Sequence, residues 1–227
     1  MPITGKRHAA NQAKVSKKSY SPEEAIALLR QLKKAKFDES VELHVRLGID
    51  PKQGDQQVRG TITLPYGIGK IKRVAVFAEG DKEIEAKTAG ADLVGGKELI
   101  DRIRQTEKCE FDVAVATPDM MKELATIAKI LGPKGLMPSP KNETVTPNVA
   151  KAVHELKKGK ISFKNDDTGN VHQMIGKLSQ SNEQVLDNLA TFLDALKRAK
   201  PASSKGIYIR SATLTTTMGP GLAISVA

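Results

Sequence analysis

A single cysteine, Cys109, stands among 227 residues. That excludes an intrachain disulfide and leaves too few thiolates for a zinc cluster. Histidine is sparse as well: His8, His44, His154 and His172 are scattered, and His154-Glu155 leads to Lys157-Lys158 rather than to a second histidine, so no metal site is expected. No apolar run is long enough to span a bilayer, and Met1 to Tyr20 lacks the apolar centre of a signal peptide, which makes the cytoplasm the expected compartment. Phosphate loops are missing too. After Val74 to Ala78 comes Glu79-Gly80-Asp81-Lys82, with acids where a dinucleotide's phosphates would sit. Gly69-Lys70-Ile71 and Gly176-Lys177-Leu178 lack the hydroxyl that would hold magnesium. No nucleophile stands with an identifiable base, and the adjacent Asp166 and Asp167 do not suit an acid and base pair. Neither enzyme chemistry nor a cofactor is expected.

What the chain does have is positive charge, placed unevenly. Its net charge is +10, and the first 20 residues carry Lys6, Arg7, Lys14, Lys17 and Lys18 with no acid. Residues 21–66 balance, and the rest of the excess divides between the middle and the C-terminal end. A basic arm beside a polyanion-binding surface gives this pattern; so does a solvated tail.

The two ends read as mixed α and β. Ser21-Pro22-Glu23-Glu24 is a capping box with proline at the first helical position, followed by the apolar face Ala25, Ile26, Leu28, Leu29 and Leu32. Val41, Leu43, Val45, Leu47 and Ile49 alternate with Glu42, His44, Arg46 and Gly48, a strand with one buried face; Val58, Gly60, Ile62 and Leu64 repeat the pattern. Lys160 to Asn165 and Val171 to Ile175 flank Asp166-Asp167-Thr168-Gly169, a strand, a turn and a strand with the turn chemistry of a hairpin. Ser181 and Gln184 cap a helix faced by Val185, Leu189, Phe192, Leu193 and Leu196. Ile207, Ile209, Leu214, Leu222, Ile224 and Val226 supply closing strands.

The middle changes rhythm. Short apolar runs at Val74 to Ala78, Leu93-Val94 and Phe111 to Ala116 alternate with helical stretches at Asp81 to Ala89, Lys97 to Gln105 and Pro118 to Leu131. This predicts a small parallel, three-layer, Rossmann-like α/β domain over 67–159, inserted into an α+β domain built from 1–66 and 160–227. Pro65, Gly67, Gly69 and Gly159 border the insert and are read as hinge positions.

Two stretches resist a packing account. Thr215-Thr216-Thr217-Met218-Gly219-Pro220-Gly221 is either an exposed edge strand with its turn or a strand end that displays hydroxyls and amides to sugar and phosphate oxygens. Gly132 to Lys141, with three prolines and with Lys134 and Lys141, is either a stiff connector or a grip for a phosphate backbone.

Taken together, Phe37 to Glu42, Leu64 to Lys70, Leu131 to Lys141, Phe163 to Asp166 with Gly169 and His172, and Thr215 to Gly221 closely resemble the bacterial ribosomal large-subunit L-one family, the stalk protein. The resemblance spans nearly the whole chain. It implies anchorage of the end-built domain on large-subunit rRNA, contact of the mobile stalk with exit-site tRNA to assist its release, and repression of the protein's own mRNA. Other ribosomal components would be partners; membranes and small-molecule substrates would not. Carried over, the rRNA surface comprises Lys36, Phe37, Ser40, Glu42, Lys164, Asp166, Thr168, His172, Ser211, Thr215, Thr217, Met218 and Gly219, and the tRNA contact Lys134 and Lys141. Phe37 and Met218 would face a sugar or unstacked base, and Ser211 and Thr217 would pair with 2′-hydroxyls. Asp167 stands where the family usually has lysine. Asn142-Glu143 stand where a glycine is common, which adds a negative charge near the proposed tRNA surface. An RNA-binding regulator of related fold acting off the ribosome is the alternative.

Overall fold

The computed structural model describes residues 5–16, 18–32, 35–70 and 72–226. Lys17 of the basic arm lies outside the described residues. In chain order, α1 (Lys6–Gln12), α2 (Pro22–Gln31), β1 (Ser40–Leu47) and β2 (Arg59–Thr63) come first. There follow β3 (Val74–Phe77), α3 (Asp81–Thr88), β4 (Leu93–Gly95), α4 (Lys97–Thr106), β5 (Val113–Ala116), α5 (Met121–Leu124), α6 (Ala128–Leu131) and α7 (Val149–Lys157). The chain closes with β6 (Lys160–Lys164), β7 (Asn170–Lys177), α8 (Asn182–Arg198), β8 (Ile209–Thr216) and β9 (Leu222–Ile224). These elements group into two units, Met1–Gly69 with Ser162–Ala227, and Lys70–Ile161.

The first unit is built on an antiparallel sheet in the order β7-β1-β8-β9. Alternation in β1 buries Val41, Leu43, Val45 and Leu47 on one face, where α2 and α8 pack. Each helix begins where its sequence says it should. Ser21 accepts from the Glu24 amide at 3.2 Å and Ser181 from the Gln184 amide at 3.2 Å, and both boxes are reciprocated. Leu29 on α2 and Leu189, Phe192 and Leu196 on α8 fill the layer, with Phe192 set edge-on to Phe163 at 5.4 Å between ring centroids. Each such buried side chain stabilises the fold by about 1.5–3 kcal/mol. Among the described residues no helix layer covers the opposite face of the sheet, where Arg46 and Ser211 are exposed.

The start of the linker is pinned to this core. Asn188, fully buried on α8, accepts from the Tyr66 amide at 3.2 Å and donates to the carbonyls of Gly67 and Ile175, each at 2.9 Å. Gly67, Gly69 and Gly159 have φ of 58°, 69° and 104°, a region in which a side chain is strained.

The second unit holds a parallel sheet in the order β4-β3-β5, as the alternating pattern predicts. β3 is buried on both faces: Ala75 and Phe77 meet Ile100, Ile103 and Leu124 on one side, and Val74 and Val76 meet Ala86, Val149 and Val153 on the other. The chain is thus a mixed α/β protein with helix layers on both faces of its parallel sheet.

Three details differ from the sequence reading. The stretch Pro118 to Leu131 is not one helix but α5, a 3-10 turn over Ala125–Ile127, and α6. The Thr126 hydroxyl donates to the Glu123 carbonyl at 2.7 Å, an attachment that competes with helical geometry. The strands around Asp166 to Gly169 pair only at the tip, through the Asn165–Val171 bridge; β6 then pairs with β2, and β7 with β1. Buried Asn165 diverts β6, because its side-chain oxygen accepts from the Val58 amide at 2.7 Å and its own amide donates to the Val58 carbonyl at 2.9 Å. Ile207 lies before β8, three-quarters exposed.

Candidate nucleic-acid interface

The open face of the four-stranded sheet is set by the polar positions of β1. Residues directly opposite in a ladder share a face, so Glu42 stands between Met174 and Thr215, His44 between His172 and Thr213, and Arg46 between Asn170 and Ser211. From Ser40 to Arg46 the row runs about 20 Å, at roughly 3.3 Å per residue. Of the carried-over residues, Ser40, Glu42, His172, Ser211 and Thr215 fall on this face.

At the Ser40 end, the turn after β8 closes on the start of β1. The Ser40 amide donates to the Thr217 hydroxyl oxygen at 3.0 Å and the Thr217 amide donates to the Ser40 carbonyl at 3.1 Å. The Thr217 hydroxyl, expected to be committed to a ribose, therefore already holds β1 and keeps one lone pair for a partner. Gly219 closes the turn by donating to the Thr216 carbonyl at 3.0 Å, and the Thr215 hydroxyl is held among the Thr216, Gly219 and Pro220 carbonyls. The three threonines divide their work: Thr216 is buried, Thr215 half-buried and Thr217 exposed. Phe37 and Met218 are 55% and 50% exposed, large apolar groups at this end of an otherwise polar face, and Lys36 is exposed beside Phe37.

At the other end lies the β6–β7 turn. Asp166 accepts from the amides of Thr168 and Asn170 at 2.9 and 2.7 Å and from the Thr168 hydroxyl at 2.8 Å, with His172 Nε2 3.4 Å away. Burial pushes this carboxyl up, but the amide and hydroxyl donors of Asn170 and Thr168 outweigh it and hold it far below the usual carboxylate range. Asp166 shapes the turn that presents Thr168. Its pKa is depressed by folding, so its stabilisation is complete above the ordinary value of 3.8 and is lost as pH falls through the lower folded value. Asp166→Asn is expected to lower unfolding stability by about 1 kcal/mol at pH 7. In denaturant titrations that deficit should shrink as the pH falls below 3.8. An unchanged deficit at pH 2 to 3 would contradict the assignment.

Between the two ends the imidazoles meet. His44 Nδ1 and His172 Nδ1 are 2.8 Å apart, with Glu42 3.8 Å from His44 Nε2, so one ring donates and the other accepts. Burial, and then His172, hold His44 below its ordinary value against the pull of Glu42. The pair can offer donors and acceptors to a polar partner.

Lys164 is exposed on β6, which belongs to the smaller β2–β6 sheet and not to this face. In the second unit, Lys134 is exposed but folds back: its ammonium donates to the Glu107 carbonyl at 2.8 Å. Lys141 is exposed in a 3-10 turn over Pro140–Asn142. Glu143 adopts a left-handed φ of 55° and pairs with Lys160, which also binds Glu155 at 2.7 Å, so its charge is compensated within the unit. His44, Arg46, Asn170, Met174 and Thr213 were missed from the sequence. The alternation of β1 marked the first two; the others needed the strand register.

A face made of hydroxyls, imidazoles, an amide, a carboxylate, a methionine and one arginine, with an apolar tip, suits contact with an extended, oxygen-rich partner. Among the described residues no group of three or more histidines, cysteines or acids could hold a metal ion, and no helix is long and apolar enough to cross a membrane. Residues 29–220 match the ribosomal protein L1p/L10e family, and the chain belongs to that family. It is 50% identical over 223 residues to the large ribosomal subunit protein uL1 of Solibacter usitatus (strain Ellin6076), covering 98% of this chain and 94% of that one. It is 54% identical over 223 residues to the large ribosomal subunit protein uL1 of Bdellovibrio bacteriovorus (strain ATCC 15356 / DSM 50701 / NCIMB 9529 / HD100), covering 98% and 95%. It is accordingly a ribosomal protein and not an enzyme.

Proposed function

We propose that this chain is a component of the large ribosomal subunit in the cytoplasm and anchors there on rRNA through the open sheet face and its Phe37–Met218 tip. The observation that carries the reading is the strand register that puts Ser40, Thr215, Thr213 and Ser211 on one face, with the Thr217 hydroxyl bonded to Ser40 at its end, so that segments far apart in the chain share one surface rich in hydroxyls. Hydroxyls there can pair with 2′-hydroxyls, and the exposed Phe37 can stack on a splayed base. The chain works as two separate domains, one built from 1–66 and 160–227 and the other from 67–159. They move about Pro65, Gly67, Gly69 and Gly159, and the positive φ of the three glycines supports that assignment. The inserted domain contacts exit-site tRNA and assists its release, with exposed Lys141 as the first contact and Lys134 joining once it leaves Glu107. Free protein represses its own mRNA by binding an RNA stem of like shape.

Footprinting on deproteinised large-subunit rRNA tests the anchor. The expected result is protection of one stem and loop, with affinity that falls as salt rises. The log-log slope should account for only part of the affinity, because hydroxyl and shape contacts release no counterions. Protection scattered over many helices, or a slope that accounts for all the binding, would contradict a shaped site.

A further inference from the structure

Among the described residues Glu39 is the only buried carboxylate, with 2% exposure. It lies one residue before β1, and its two oxygens reach three separate segments. Oε1 accepts from the Ala35 amide at 2.6 Å and from Arg7 of α1 at 3.5 Å; Oε2 accepts from the Met218 amide at 3.1 Å. The Thr216 hydroxyl also bonds to it, and its own carbonyl accepts from the Leu178 amide at 3.0 Å. Burial pushes the carboxyl up, but these donors and Arg7 outweigh it and hold it below its ordinary value.

A buried carboxylate is costly to the fold unless its lone pairs are filled, and an apolar side chain of the same volume would often stabilise as much. The arrangement supplies geometry that an apolar residue could not. Phe37 lies between Ala35 and Glu39, so its short loop is tied at both ends by one side chain. The same group takes the amide of Met218, 179 residues away in the chain. Through Arg7 it also holds α1 beside the turn, where a cavity of about 610 Å3 is lined by His8, Gln12, Lys18 and Gly219.

We propose that Glu39 is the positioning residue of the RNA anchor: without touching RNA, it sets the Phe37 loop, the Thr217–Gly219 turn and α1 side by side so that Phe37 and Met218 form one apolar tip. This rests on the rRNA-binding reading above and adds a residue that the carried-over surface does not contain. Gln at this position keeps the shape but offers one acceptor oxygen in place of two and no charge.

The test uses the full chain as Glu39→Gln, Phe37→Ala and the double variant. Each is titrated onto deproteinised large-subunit rRNA, and amide hydrogen exchange is followed by NMR. Glu39→Gln should bind roughly tenfold more weakly. The amides of Ala35 and Met218 should exchange faster while Leu43 and Val45 in β1 keep their protection, which a general loss of stability would not do. The double variant should lose less than the product of the two single losses, because a displaced Phe37 has little left to contribute. Unchanged affinity of Glu39→Gln would overturn the proposal, as would unchanged exchange at Ala35 and Met218. If Glu39→Gln does not fold, Arg7→Gln decides: a smaller loss of affinity supports the proposal and none overturns it. Failure of the unaltered chain to bind the rRNA would instead remove the rRNA reading, and the exchange comparison would still show whether Glu39 orders the tip.

Discussion

Phe37→Ala is expected to weaken binding to deproteinised large-subunit rRNA roughly 5- to 150-fold, since an aromatic ring stacked on a base contributes about 1–3 kcal/mol. Met218→Ala should act in the same direction, and the pair together should bind more weakly than either alone. The reason lies in exposure. Phe37 and Met218 are 55% and 50% exposed, so the isolated protein leaves much of each apolar surface in water. Truncation removes little packing, and the melting temperature should move by no more than about 2 °C. Separate measurement of affinity and melting thus distinguishes a contact residue from a core one. If both variants bound as the unaltered chain does, the apolar tip would have no part in RNA recognition.

Gly219→Ala should damage the anchor from within. A Cβ at this position would lie 2.3 Å from the Thr216 hydroxyl oxygen, far inside contact distance. Thr216 cannot readily step aside: it is β-branched, 5% exposed and bonded to Glu39. The turn itself must shift, which costs about 1–3 kcal/mol of stability. The shift also disturbs the Thr217–Ser40 closure, so rRNA affinity should fall at least about tenfold. Gly54→Ala is the matched control, because nothing lies within 4 Å of its added Cβ. Calorimetry and the same RNA titration check both; a Gly219→Ala variant as stable and as tightly bound as the control would contradict the geometry described for the turn.

Much of the fold was legible because local chemistry and tertiary structure agree. Ser21 with Glu24 and Ser181 with Gln184 start α2 and α8 as read, and the alternation of Val41 to Leu47 already named the buried and open faces of β1. The apolar runs Val74 to Ala78 and Phe111 to Ala116 hold the parallel strands β3 and β5, buried on both sides as their lack of alternation implied.

What was not legible depends on partners distant in the chain. Asn165 sends β6 to β2 through Val58, a residue 107 positions away, so the hairpin pattern could not reveal that its arms part. Thr217 gives part of its hydroxyl capacity to Ser40, 177 positions away, and Lys134 turns its ammonium to Glu107. The sequence shows which groups can bond and not which are already engaged. The same limit hid Asn170, Met174, Thr213 and Glu39: each looks like an ordinary strand or loop residue until the register of β1 with β7 and β8, and the closure of the turn on the loop, place it.

On the proposed function, the loop holding Phe37 and the turn holding Met218 form one surface that meets large-subunit rRNA. Photo-crosslinking residues placed singly at positions 37 and 218 of the full chain, assembled into large subunits and irradiated, test it most directly. Both positions should crosslink to nucleotides of a single stem and loop. Crosslinks from both positions to protein alone, or to no nucleotide, would contradict it.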